Sequence, residues 1–149
     1  MIGLLQRVSR ASVSVDGEVI ARIGRGLLVL VGVERGDGEA EAKRLAQRLV
    51  EYRVFPDDSG RMNLSVSDVG GSLLLVPQFT LAADTRKGTR AGFSTAAEPA
   101  TGKALFDRLV AEVAAFGLPT EQGRFGANMD VELVNAGPVT FWLHVPPRG

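Results

Sequence analysis

The chain has 149 residues, 45% hydrophobic and 23% charged, a length at which one domain buries roughly 68–70% of its unfolded surface. Seventeen basic and seventeen acidic side chains cancel, which argues against broad, non-specific nucleic-acid binding and confines any RNA contact to a local patch. The absence of cysteine excludes disulfides, thiolate catalysis and cysteine metal sites; with no signal-like apolar stretch in residues 1–10 and no long apolar run, a soluble, untargeted cytoplasmic protein is expected.

In chain order, Ile2, Leu4, Val8, Val13 and Val15 among polar partners predict a strand over residues 1–15. Asp16-Gly17 predicts a hairpin turn, with residues 18–23 returning as the second strand. The continuous apolar run Gly26 to Val33 predicts a central strand covered on both faces. The glycines around it fit neither GxGxxG nor GxxxxGK[ST], so close backbone packing is expected there rather than a phosphate loop. Asp37 is suited to cap a helix that opens with Glu39 and Glu41 and turns Leu45, Leu49 and Tyr52, with Ala42 and Ala46, to one side.

Asp57 and Asp58 lie in turn-forming Pro56-Asp57-Asp58-Ser59-Gly60. No glutamate or histidine follows at calcium-loop or zinc spacing, so a solvated loop is expected, with no metal and no cofactor. Asn63 to Val66 suggests a brief pairing segment. Ser72 to Val76 predicts a buried strand that delivers Gln78, Phe79 and Thr80 to its end. Arg86, Lys87 and Arg90 form the densest basic cluster in the chain, readable as a solvated loop or as a contact for RNA phosphates. Pro99 predicts the first residue of a second helix, with Leu105, Leu109, Val113 and Phe116 on one stripe and Gly117 and Pro119 ending it. Near the C-terminus, two strand-like runs are broken by Asn135-Ala136-Gly137-Pro138. The sum is one α+β domain over residues 1–149, an antiparallel or mixed sheet with two main helices on one face.

His144 is the only histidine, and it lies beside a proline-rich tail. Familiar nucleophile and base pairs are therefore largely ruled out. An enzyme built from this chain must work by other means, among them positioning and donors aimed at a developing charge, an effect of about 2.7–4 kcal/mol for a single donor.

Gln78-Phe79-Thr80-Leu81 and Asn135-Ala136-Gly137-Pro138-Val139-Thr140, in that order, resemble motifs of the D-aminoacyl-tRNA deacylases, the chirality-proofreading hydrolases. Gln6-Arg7-Val8, Ala82-Ala83-Asp84-Thr85 and Gly123-Arg124-Phe125 extend the resemblance over essentially the whole chain. Two departures stand out. Pro77 replaces the family's usual serine, so no role of that hydroxyl is carried over, and Ala91-Gly92 replaces a Pro-Ser pair in a surface loop.

The resemblance implies hydrolysis of D-aminoacyl-tRNA, and of glycyl-tRNA mischarged on tRNA(Ala), to free amino acid and tRNA. Gln78, Phe79 and Thr80 would hold the ester carbonyl and the terminal adenosine, with backbone N–H groups as oxyanion donors and the RNA's vicinal 2′-hydroxyl assisting. Nothing near Thr80 in sequence would activate its hydroxyl, so orientation is favoured over attack. Read from its residues alone, Gly137-Pro138 is a β-turn with a trans proline; the resemblance implies instead a cis peptide reaching into the partner subunit's site in a homodimer, meeting the substrate ammonium and excluding L side chains. Asn135 belongs to that corner, and Arg7 is suited to brace it, a surface arginine being the other reading. Phe125 and Met129 would line the adenosine pocket, with core packing as their alternative; Arg86, Lys87 and Arg90 would meet tRNA phosphates. Two other functions stay open: a non-catalytic tRNA-binding module, and a small-molecule esterase using Thr80 as nucleophile.

Overall fold

The computed structural model describes residues 1–148. Its elements in chain order are β1 (Ile2–Val15), β2 (Glu18–Ile23), β3 (Gly26–Gly32), α1 (Glu39–Glu51), β4 (Phe55–Pro56), β5 (Met62–Leu64), β6 (Ser72–Pro77), a 3₁₀ turn (Phe79–Ala82), α2 (Pro99–Ala114), β7 (Thr120–Gln122) and β8 (Met129–His144). β1 turns into β2 through Asp16 (φ 51°) and Gly17 (φ 80°), the pair of positive φ values that a type I′ hairpin requires.

β1 is the strand on which the sheet is assembled. Residues 11–15 pair with β2 and residues 2–8 pair with β3, so the strand changes partner midway. β8 follows β1 antiparallel along almost its whole length, from Ile2↔His144 to Val15↔Met129. Beyond β3 the sheet becomes parallel, β3 with β6 and β6 with β7, which makes it mixed. β4 and β5 form a separate small hairpin. Helix α1 supplies the crossover between β3 and β6, as a parallel pair needs.

One face of the sheet carries the main core. Leu27, Val29, Leu73 and Leu75 of the sheet meet Leu45 and Leu49 of α1 and Phe106, Leu109 and Val113 of α2. Both helices lie on that face, as expected. Each such leucine, fully buried, contributes about 1.5–3 kcal/mol relative to exposure. The other face holds a smaller cluster, Val8, Val13, Ala21, Ile23, Leu28, Leu74 and Val76, covered where β2 curls back toward β6 and β7. β3 is thus the central strand and is covered on both faces. Gly26 bears out close backbone packing: a Cβ there would run into the Ser72 carbonyl.

Two local expectations are corrected. Asp37 does not cap α1; Gly38 is the N-cap residue, and its N–H donates to Glu41 Oε2 at 2.8 Å. The Asp37 carboxylate accepts instead from the Glu34 N–H at 2.7 Å and from the Met1 ammonium at 2.9 Å, the second a partner that sequence proximity does not reveal. Phe116 lies beyond the end of α2 and is 48% exposed, because the helix stops at Ala114 and Gly117 (φ 83°) turns the chain away. No helix among the described residues is long and apolar enough to cross a membrane.

Candidate active site

Gln78 sits where β6 ends, and its N–H donates to the Val31 carbonyl at 2.7 Å, which ties the strand end to β3. Pro77 still pairs in register with Val31, but it has no N–H, so the ladder has no donor at that position. The chain then coils into the 3₁₀ turn, closed by the Leu81 N–H on the Gln78 carbonyl at 3.1 Å. Gly32 makes room for it: a Cβ there would lie 2.9 Å from Leu81 Cβ. The N–H groups of Phe79 and Thr80 open the turn, ahead of its first internal bond. Gln78 Nε2 donates to Thr80 Oγ1 at 2.5 Å, so the Thr80 hydroxyl is held by an amide rather than by a base.

Beside this turn lies a pocket of about 460 Å³ lined by Gln78, Phe79, Phe125 and Met129, among others. The structure therefore brings together four of the residues singled out from sequence. Met129 is seated by its sulfur, which accepts the Arg124 N–H at 3.3 Å, and by Gly123, whose missing Cβ would lie 2.8 Å from that sulfur. The rear wall comes from α2: Pro99, Gly102 and Phe106 line the pocket too. The sequence reading placed none of the three at the site. Gly102 carried the signal, a glycine inside a helix, where it is disfavoured by about 1 kcal/mol against alanine; here it faces Phe125, 3.4 Å from where its Cβ would be.

The corner at residues 135–139 is separate from this pocket. Gly137 and Pro138 do not line it. They bulge out of β8, since β1 pairs Val8 with Asn135 and then Gln6 with Thr140. Asn135 closes the bulge: its Oδ1 accepts the Val139 N–H at 3.1 Å and its Nδ2 donates to Thr140 Oγ1 at 3.0 Å. Arg7 braces it from below, with Nε donating to the Ala136 carbonyl at 3.0 Å and Nη1 to the Val54 carbonyl at 2.8 Å. Its reading as a mere surface arginine is thereby set aside.

The expectation of a cis bond at Gly137-Pro138 is overturned, since no peptide bond among the described residues is cis. Gly137 makes the bend by taking φ 118°, with the Arg7 guanidinium occupying the space a Cβ would need. A proline amide favours trans by about 0.5–1 kcal/mol, and a turn already made by glycine has no need of the rarer isomer.

The basic cluster lies on the loop between the 3₁₀ turn and α2, but its members are not equivalent. Arg86 is committed to Asp84, Nε to Oδ1 and Nη2 to Oδ2, both at 2.9 Å. These bonds pull the Asp84 carboxyl down to about 2 and raise Arg86. Lys87 and Arg90 are exposed. His144 is engaged elsewhere, with Nε2 2.6 Å from Glu34 Oε1. Burial pushes the Glu34 carboxyl up, yet bonds from the Met1 ammonium and His144 leave it below the usual glutamate value.

Residues 4–144 match the family model described as D-Tyr-tRNA(Tyr) deacylase. The chain is 64% identical over 147 residues to a D-aminoacyl-tRNA deacylase of Thioalkalivibrio sulfidiphilus, covering 99% of each chain. It is 62% identical over 143 residues to one of Vibrio cholerae, covering 96% of this chain and 99% of the relative. Among solved structures it resembles the c-Myc DNA Unwinding Element Binding Protein at TM-score 0.93 and 36% identity, over 98% of this chain and 99% of the other. A probable eukaryotic D-amino acid tRNA deacylase shares the fold at TM-score 0.79 and 18% identity, over 95% and 97% of the two chains. The chain belongs to the D-Tyr-tRNA(Tyr) deacylase family, and it is an enzyme of the hydrolase class.

Proposed function

We propose that this enzyme hydrolyses the ester that joins a D-amino acid, or glycine, to the 3′ end of tRNA, glycyl-tRNA mischarged on tRNA(Ala) included. The observation that carries the reading is the strand-end turn over an apolar pocket: main-chain N–H groups of Phe79 and Thr80 open the turn, and Phe125 and Met129 line the cavity beside it. The terminal adenosine occupies that pocket, its base against Phe125 and Met129. The ester carbonyl then faces the turn, whose N–H groups stabilise the oxyanion formed when water adds to the carbonyl carbon. As the intermediate collapses, the carbon–oxygen ester bond breaks and the ribose oxygen leaves with a proton, assisted by the neighbouring 2′-hydroxyl of the RNA. Thr80 orients this assembly through Gln78. It is a poor nucleophile here, because its hydroxyl partner is an amide.

Selection by handedness falls to the corner of Gly137 and Pro138. Within one chain this corner does not line the pocket, so the reading calls for a second copy to present it, most simply across a two-fold axis. Trp142, 55% exposed on the same strand, suits such a contact. The corner's main-chain carbonyls meet the substrate ammonium, and an L side chain collides with the backbone while hydrogen or a D side chain does not. Main-chain recognition leaves the identity of the amino acid unread. The reaction belongs in the cytoplasm, where aminoacyl-tRNA is made.

The test is a deacylation assay on matched D-, L- and glycyl-tRNA, with Gly137→Ala alongside. Expected is turnover of the D- and glycyl-esters with the L-ester spared, and loss of that pattern in Gly137→Ala, whose new Cβ meets Arg7 and Val139. Equal turnover of both enantiomers by the unmodified enzyme rejects the chiral filter. Salt-sensitive tRNA binding without any cleavage would make the protein a binding module instead.

A further inference from the structure

Two phenylalanines stand exposed beside the pocket, Phe79 at 58% and Phe93 at 44%. Their rings pack together, centroids 5.1 Å apart at 49°. Phe79 also lines the pocket, so the pair forms a continuous aromatic surface running from the cavity rim outward. Phe93 is held there by its backbone. The loop that carries it is cross-tied by Asp84 and Gly92, through bonds of 2.7 and 3.0 Å, and Thr95 Oγ1 donates to the Ala82 carbonyl at 2.5 Å. The Arg35 N–H reaches the Thr95 carbonyl at 2.9 Å, and the Ala96 N–H closes a turn on the Phe93 carbonyl at 3.2 Å. An apolar pair held this firmly in water is not there to fill a core.

Residues 84–93 of this loop carry three basic side chains against one acid, Asp84, and Arg86 already neutralises that acid. Lys87 and Arg90 are left as uncompensated cations near an aromatic shelf. Exposed rings flanked by free cations suit single-stranded nucleic acid, which offers a flat base and a phosphate at every step. We infer that Phe93, stacked on Phe79, is the platform for the unpaired nucleotides that precede the terminal adenosine, with Lys87 and Arg90 on their phosphates. This rests on the deacylase reading for the position of the adenosine. A phenylalanine ring has no hydrogen-bonding group, so the platform holds the strand without reading its sequence, as befits a 3′ end that all tRNAs share.

The experiment compares Phe93→Ala and Phe93→Tyr on two substrates, D-aminoacyl-tRNA and the D-aminoacyl ester of adenosine alone. Binding of a short RNA ending in CCA is measured in parallel. Phe93→Ala is expected to raise KM for the tRNA substrate and weaken the oligonucleotide roughly tenfold, to leave kcat and the adenosine ester unchanged, and to be rescued by Phe93→Tyr. Equal losses on both substrates would overturn the inference, since Phe93 would then only support Phe79. No loss on either RNA would overturn it as well. So would dissociation of Phe93→Ala into monomers by sedimentation, which would make the pair a subunit contact. If the unmodified protein cleaves neither ester while oligonucleotide binding still depends on Phe93, the platform stands and the deacylase reading fails.

Discussion

The strand end at Gln78–Thr80 and the corner at Asn135–Val139 are both places where a sheet strand gives way to polar main chain, yet they are built in opposite ways. The first grows from the best-buried part of the molecule: Leu73, Leu74 and Leu75 are wholly buried, and the turn is tied to β3. The second interrupts a long outer strand and depends on a single arginine and a single asparagine. A cavity can be defined by one chain's core alone. A surface that must meet another molecule has to leave that core, and local side-chain braces then supply the rigidity that packing does not.

Leu75→Ala breaks the first region hardest. It should cost about 2–5 kcal/mol of stability, by cavity formation beneath the strand end, and chemical denaturation would register it; a loss under about 1 kcal/mol would mean the turn does not depend on the core below it. Arg7→Ala strikes the second region alone. Bonds from a charged donor contribute about 1.5–3 kcal/mol each, and the variant should still fold while admitting L-aminoacyl-tRNA. Arg7→Lys should rescue it poorly, because one ammonium does not reproduce two divergent N–H groups. An Arg7→Ala enzyme that keeps full chiral discrimination would show that the corner needs no brace. Thr80→Ala has the smallest expected effect: less than about a tenfold fall in kcat, the scale of one neutral hydrogen bond. Complete inactivation, or a trapped covalent adduct in the unmodified enzyme, would instead make Thr80 the nucleophile.

How much of this was legible beforehand depended on how local the cause was. The Asp16-Gly17 hairpin, the covered strand β3, the glycine packing at Gly26 and the start of α2 at Pro99 are dictated by neighbours in sequence, and all appear as read. The pairing of β8 with β1 joins residues more than a hundred positions apart, and no local pattern announces it. Asp37 looked like a cap because its rival partner, the Met1 ammonium, is distant in sequence. Arg86 belonged to a cluster readable as a solvated loop or as a phosphate contact, and its ion pair with Asp84 did not stand out from either reading. At the site, the motifs pointed to Gln78, Phe79, Phe125 and Met129, while the contribution of α2 to the pocket was hidden behind a single helical glycine. The bond before Pro138 stayed open between the trans turn its residues suggest and the cis peptide the resemblance implies, because how Arg7 and the φ of Gly137 share the work of turning the chain is invisible in the sequence.

The bulge in β8 also answers a hazard unrelated to substrate. A sixteen-residue strand paired on only one side among the described residues would be an open template for sheet growth from one molecule to the next. Pro138, with no N–H to offer, and the four residues that leave register opposite Arg7 cut that template into two short pieces, while exposed Asp130 and Glu132 set like charges along one of them. A deletion that straightened the strand would therefore endanger solubility as well as the selection proposed for the corner.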